Sequence, residues 1–229
     1  MPIVDKTASM RLASKAEIDP HTQIILDRYA DRQNFGIANT PSHVLTAHYL
    51  GKVMMPDEIA GKTILEIGAG CSQYVALFLQ TGCKKYYAND IIPERLARVR
   101  VSDARFVELP GDFRAIDLPE RADIVFANLV MMFIIPMLDE FIAKISDSLN
   151  PGGVFLSMDP NYLCPLSIYR RFADRKNNPA RLFNPFHYAE AFRHHGFEIE
   201  KLVPFTAVLP RTTGNWFLGT TFWLRARKT

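Results

Sequence analysis

Along this chain of 229 residues, two spacings of apolar positions alternate. Compact runs rich in β-branched and aromatic residues recur at Thr63–Ile67, Lys84–Asn89, Arg105–Leu109, Asp123–Ala127 and Val154–Met158, and they read as strands. Helical spacing fills the gaps between them: Tyr74 to Gln80, ended by Gly82, and a segment from Pro93 to about Arg100. The clearest helix places Leu138, Phe141, Ile142, Ile145 and Leu149 at i, i+3, i+4, i+7 and i+11, and Asn150-Pro151-Gly152-Gly153 is expected to stop it. A helix over His187–His195, closed by Gly196, then leads to two last strands, Phe197–Val203 and Phe217–Arg225. Strands alternating with helices predict an α/β fold with a doubly wound, mostly parallel sheet of seven strands.

Ahead of the first strand, Ile24, Ile25, Arg28 and Tyr29 mark one helical stripe between His21 and about Gln33. A second helix is expected from Pro41, with Thr40 as its N-cap, through Val44, Leu45, His48 and Tyr49. Both are too short to form a unit of their own and must pack on the body. Residues 1–20 show no period, as in a loosely held terminus. One domain over residues 1–229 is therefore expected, with a helical addition over about 21–52 and a core over about 61–229.

Composition narrows the function classes. A hydrophobic share of 48% and a charged share of 22% are those of a folded globular protein. The net charge of +3 gives no reason to expect a nucleic-acid partner, which shows as a concentrated basic face or a known module. Cys71, Cys83 and Cys164 have neither disulfide-framework nor zinc spacing, so no metal is expected. Asp5, Lys6 and Arg11 interrupt the start of the chain where a leader would need an apolar core, and a cytoplasmic protein with reduced thiols is expected. The longest apolar tract, Ile124–Leu138, contains Asn128 and Pro136 and falls short of the ~20 residues of a membrane span.

Chemistry concentrates at strand ends. The run Thr63-Ile64-Leu65-Glu66-Ile67 is followed by Gly68-Ala69-Gly70-Cys71-Ser72, a strand, a tight turn and a helix start in which backbone can approach a ligand closely. Asp90 ends the second apolar run, Asp112 and Phe113 follow the third, and Asn128 ends the fourth. Glu66 and Asp90 are 24 positions apart and Asp90 and Asp112 are 22 apart, each room for one helix and one strand. In an open α/β sheet, one crevice at the carboxyl ends of the strands can receive them all. In order and spacing, residues 61–159 resemble the class I S-adenosylmethionine (SAM) methyltransferases.

That resemblance implies a Rossmann-like sheet with an antiparallel last strand, SAM as cofactor, and an N-terminal helical lid over the crevice. It implies that Gly68 and Gly70 form the turn under the methionine part of SAM, beside Glu66. Asp90, with Ile91 after it, would serve the ribose hydroxyls, Asp112 and the Phe113 backbone the adenine, and Asn128 would stand beside the reactive methyl group. Ser72 stands where many members carry a third glycine. A dinucleotide-dependent oxidoreductase is the competing enzyme reading, but its fingerprint needs glycine where this chain has Gln73.

Transfer of a methyl group to an oxygen or nitrogen of a small-molecule acceptor, such as a saccharide or natural-product intermediate, is the expected activity. A non-catalytic scaffold of the same fold is the alternative from another class. The aromatic motif used on nucleobase amines is absent after Asn128, which disfavours a flipped-base substrate. Asp159-Pro160-Asn161-Tyr162 resembles a motif of small-molecule members, or else forms a capped turn. If the acceptor must lose a proton, His43 is the first candidate base and His48 the second, with His187 and Asp159 behind them. Finally, Tyr162 to Phe186 mixes Arg170, Arg171, Arg175, Lys176 and Arg181 with Tyr169, Phe172 and Phe183, either as a solvated face or as a cover for an anionic or amphiphilic acceptor.

Overall fold

The computed structural model describes residues 50, 53–71, 74–173, 181–205 and 214–229. In chain order these form α1 (Pro56–Ile59), β1 (Thr63–Ile67), α2 (Val75–Gln80), β2 (Lys85–Asp90), α3 (Pro93–Leu96), β3 (Phe106–Pro110) and β4 (Ala122–Asn128). Two short 3-10 turns, Met131–Phe133 and Ile135–Met137, lead into α4 (Leu138–Ser148), β5 (Leu149–Pro160), α5 (Pro165–Ala173), α6 (Pro185–His194), β6 (Phe197–Phe205) and β7 (Thr221–Lys228).

The seven strands make one sheet in the order β3-β2-β1-β4-β5-β7-β6, parallel from β3 to β5, with β7 antiparallel to both its neighbours. Because β1 lies between β2 and β4, the chain winds outward in one direction and then in the other. Strand order therefore reverses at β1, where an α/β sheet opens a crevice at its carboxyl edge.

Each sheet face has its own core, as strands buried on both sides require. Leu65, Ile67, Val125, Ala127, Phe155 and Leu224 point to one face and pack on Phe141, Ile142 and Ile145 of α4 and on Tyr188, Ala189 and Phe192 of α6. Ile64, Tyr86, Ile124, Phe126, Leu156 and Trp223 point to the other, under Val75, Phe78 and Leu79 of α2. Leu50, Val53, Met54 and Ile59 join this second core, so the segment entering β1 is anchored on the α2 side.

Four stretches differ from those the pattern predicts, one of them the last strand, which runs Thr221–Lys228 rather than Phe217–Arg225. The Asn150–Gly153 stretch does not separate α4 from a short strand but lies within β5, whose pairing with β4 shifts register between Ala122 and Ile124. The extra residues are accommodated as a bulge, a solution open to Gly-Gly but invisible to a helix-stop rule. The segment after Pro93 is helical for one turn only, and the stretch after Pro160 contains α5. The expected helices over 21–49, with His43 and His48, lie outside the described residues.

A charged cluster fastens the entering segment to the sheet. Arg225 of β7, almost fully buried, donates to the Val53 carbonyl at 2.8 Å and pairs with Glu58 of α1 and Glu200 of β6, and Glu200 also binds Arg227. The Arg225 hydrogen bond holds the Glu58 carboxyl below its ordinary range; for Glu200, burial works the other way, yet Arg225 and Arg227 keep it low as well. Carboxyls lowered by folding contribute stability above their unfolded pKa and lose it as pH falls through the folded one. Arg225→Met leaves the Val53 carbonyl without its donor, while Glu58 and Glu200 can still reach water, which discounts the full cost of a broken buried pair. Urea unfolding at neutral pH should show a loss of about 2 kcal/mol, shrinking below about pH 4 as the carboxyls protonate.

Candidate SAM-binding site

The carboxyl ends of β1, β2 and β4 bring together most of the residues singled out above. Gly68 and Gly70 both adopt positive φ, at 65° and 58°, and turn the chain off β1 toward α2. Gly68 has a steric reason beyond its φ, since a Cβ there would run into the methyl groups of Val130 in the loop after β4. The first glycine is thus demanded by the packing of two loops, whatever ligand the turn meets.

Asp90 ties this turn to its neighbour. It ends β2, is 3% exposed, and accepts the Gly70 amide at 2.7 Å through Oδ2 and the Ile92 amide at 2.8 Å through Oδ1. The backbone continues the link: Ala69 N–H donates to the Asn89 carbonyl, and Gly111 N–H to that of Asp90. Burial pushes the Asp90 carboxyl up from its ordinary value, against the pull of the Ile92 and Gly70 amides and of Arg95. A carboxylate offers about four lone-pair sites. With one backbone amide on each oxygen, Asp90 retains acceptor capacity for a pair of hydroxyls.

Around Asp90, Ile91 and Ile92 form a small apolar cluster with Met132 and Phe133. This cluster joins the loops after β2 and β4, one apolar wall beside the turn. Phe113 is buried against Phe141 of α4 and fixes the chain after β3. Asp112 is already engaged: the Arg114 backbone amide and guanidinium donate to both its oxygens. An adenine amino group reaching Asp112 would have to compete with that guanidinium.

Glu66 is placed differently. It belongs to the α2-side face of β1, is 2% exposed, and accepts the Tyr86 hydroxyl, so it supports the turn from beneath. Asn128 closes β4 with its Nδ2 donating to the Tyr74 hydroxyl at 2.8 Å, and its buried Oδ1 has no hydrogen-bonding partner among the described residues. Leu129 follows with φ 57°, a left-handed conformation costly for leucine, held by its amide on the Met158 carbonyl. Its presence immediately after Asn128 marks the strand exit as conformationally constrained.

At the end of β5, Asp159 and Asn161 part company. Asp159 is fully buried on the α6 side, accepts the Met132 amide at 3.1 Å through Oδ1, and has Ser157 and Tyr188 beside it. Burial drives its carboxyl well upward. Asn161 is spent on structure: its Nδ2 donates to the carbonyls of Trp216 and Gly219, and its Oδ1 accepts from Leu163 N–H. This motif is the capped turn. His187 lies exposed on α6, and His43 and His48 lie outside the described residues.

Sequence reasoning missed the residues that hold the site: Tyr74 on Asn128, Tyr86 on Glu66, Arg114 on Asp112 and Val130 on Gly68. Only Arg114 carried a local signal, a cation two positions after a carboxylate. The other three partners arrive from distant parts of the chain.

Comparison with known proteins bears on the fold and the domain. A family model described as a methyltransferase domain matches residues 65–157, which include the glycine turn, Asp90, Asp112 and Asn128. Malonyl-[acyl-carrier protein] O-methyltransferase of Chlorobium luteolum is 33% identical over 100 residues, covering 41% of this chain and 38% of its own length. Ribosomal protein L11 methyltransferase of Acinetobacter baumannii is 29% identical over 147 residues, 61% of this chain and 47% of its own. The chain therefore spans less than half the length of these two curated relatives. Among solved structures, magnesium protoporphyrin IX methyltransferase from Synechocystis PCC 6803 with bound SAH superimposes with a TM-score of 0.71 at 12% identity, over 91% of this chain and 100% of that one. Residues 65–157 thus match a methyltransferase domain, and the β3-β2-β1-β4-β5-β7-β6 sheet gives the chain a Rossmann-like fold shared with solved SAM-dependent methyltransferases.

Proposed function

We propose that this protein binds SAM at the carboxyl ends of β1, β2 and β4 and moves its methyl group to an oxygen or nitrogen of a small-molecule acceptor. The observation that carries the reading is the Gly68–Gly70 turn held by the buried Asp90 carboxylate, which keeps room for two more hydrogen bonds. These residues fit the cofactor. Asp90 would accept the two ribose hydroxyls, Ile91 and the cluster around Ile92 would lie against the adenine, and Phe113 and Asp112 would meet its edge. Gly68 and Gly70 would let the backbone pass close to the methionine part, with Glu66 bracing the turn from below.

Bound SAM supplies a methyl carbon already activated by its positive sulfur. The protein's part is alignment and exclusion of water, which can be worth several orders of magnitude in rate. Asn128, with Oδ1 free to accept, suits an acceptor that presents an O–H or N–H to it. The lid over about 21–52 would close the site, and His43 or His48 would take the proton of a hydroxyl acceptor. Saccharides and natural-product intermediates are the acceptors to screen first, together with acyl-carrier and protein acceptors of the kinds named for the relatives. A cytoplasmic location is in keeping with three free cysteines.

Isothermal titration with SAM and its demethylated product tests the cofactor, and acceptor screening with labelled SAM tests turnover. SAM binding with no turnover on any acceptor class would favour the scaffold reading; no binding would remove the proposal. Asp90→Ala should weaken SAM at least about tenfold, since hydrogen bonds to a charged group contribute roughly 1.5–3 kcal/mol each. The same change strips the Gly70 and Ile92 amides of their acceptor, so urea unfolding should show about 2 kcal/mol lost as well. Equal affinity in both proteins would remove Asp90 from the site.

The pH dependence of cofactor binding follows from the raised Asp90 pKa. Protonation favours the folded state here: that contribution is complete below the unfolded pKa and is lost as pH rises through the folded one. Hydroxyl binding needs the ionised form, so SAM affinity should fall on acidification at a higher pH than an ordinary aspartate would give. For a hydroxyl acceptor, turnover should also rise with pH through about 6.5, and His43→Ala or His48→Ala should remove that limb and about a hundredfold of rate. A double variant that keeps both on such an acceptor would reassign the base.

A further inference from the structure

Helix α5 is turned inside out. Its inward side carries Ser167, which donates to the Thr220 carbonyl at 2.8 Å, beside the buried Cys164. Its outward side carries Leu166 and Tyr169, 41% and 71% exposed, with Phe172 at 61% and Arg170 exposed among them. A helix of a water-facing domain normally does the reverse.

The exposed apolar surface extends beyond the helix. Asn161 fastens the start of α5 to the carbonyls of Trp216 and Gly219, so the exposed Tyr162 follows directly on a junction with the turn that carries Phe217 and Leu218, 66% and 56% exposed. The ring of Phe186, at the start of α6, lies 5.1 Å from that of Trp216. Large contiguous apolar patches on a protein surface mark contact with a partner or a membrane.

Charge identifies the kind of surface this patch fits. Residues 160–186 hold five basic side chains, Arg170, Arg171, Arg175, Lys176 and Arg181, against one acid, Asp174. Their net +4 exceeds the +3 of the whole chain, so the rest of the sequence is slightly acidic, and among the described residues of this stretch Arg170, Arg171 and Arg181 are basic and none is acidic. A second copy of the same patch across a two-fold axis would meet it with like charge. Exposed aromatic and leucine side chains with arginines beside them instead match the interface of a bilayer, where rings sit at headgroup level and cations meet anionic lipid.

We propose that the face formed by α5, Tyr162 and the Phe217-Leu218 turn docks the protein peripherally on an anionic membrane surface. Since α5 follows the carboxyl end of β5, docking would hold the SAM crevice close to the bilayer and favour acceptors carried in it. That consequence rests on the proposed function; the docking itself does not.

Co-sedimentation of the full chain with vesicles tests it, without SAM or acceptor. Phosphatidylglycerol-containing vesicles should bind the protein, phosphatidylcholine vesicles should bind it much more weakly, and 0.5 M salt should reduce the difference, since it shortens electrostatic range. Arg170→Glu should lower partitioning about tenfold, and Leu166→Ser with Tyr169→Ser should abolish most of it. These side chains are exposed, so the variants should melt with the parent, and SAM titration should be unchanged. Absence of binding, equal binding to both vesicle types, or binding untouched by either variant would overturn the proposal. So would a dimer in solution that these variants dissociate, because the face would then belong to a second copy.

Discussion

The Asp90 carboxylate is the constraint on which the rest of the site depends. One buried anion accepts an amide from the turn after β1 and another from its own strand exit, so the two central strands cannot shift relative to each other at their carboxyl ends. Burial opposes its charge, and the amides offset that only in part. A carboxylate held this way is preorganised: its remaining lone pairs point where the fold has put them, with little reorganisation left when hydroxyls arrive. The same side chain therefore shapes the loop and would recognise the ligand, and neither role can be altered without touching the other.

Around that point, contacts from far along the chain build the crevice. Val130 leaves room only for glycine at position 68, Tyr74 fixes one end of the Asn128 amide, and Asp159 holds the Met132 amide from beneath the loop after β4. Leu129 is kept in a left-handed conformation among them. These are packing and hydrogen-bond constraints on the end of β4 and the loop that follows it. Toward the β6 side of the sheet, Arg225 and its two glutamates hold the segment entering β1 on the α2 side.

Most of the sheet was legible in the sequence because strands buried on both faces are compact apolar runs, and helix periodicity separates them cleanly. The antiparallel last strand followed from the resemblance, and β7 has that direction. Asp90, Gly68 and Gly70 were legible because a strand end, a turn and an acid occur in fixed order. Less could be read where one residue serves two roles. The Asp159–Tyr162 stretch read equally as a family motif or a capped turn, and Asn161 is the cap; Glu66 looked like a crevice residue and lies under the turn. Their partners, Trp216 and Tyr86, are 55 and 20 positions away, and no local pattern encodes such pairings. The Asn150–Gly153 bulge was hidden for a related reason, since the same residues stop a helix or bend a strand, and only the pairing with β4 decides between them.

The most direct measurement is a crystal structure of the protein with SAH. The account predicts both ribose hydroxyls within about 3.2 Å of the Asp90 carboxylate oxygens, the Gly70 and Ile92 amides still donating to them, and the sulfur lying above Gly68–Gly70 on the side of Asn128. A ligand bound elsewhere, or one whose ribose stays clear of Asp90 while that carboxylate bonds only the two amides, would contradict it.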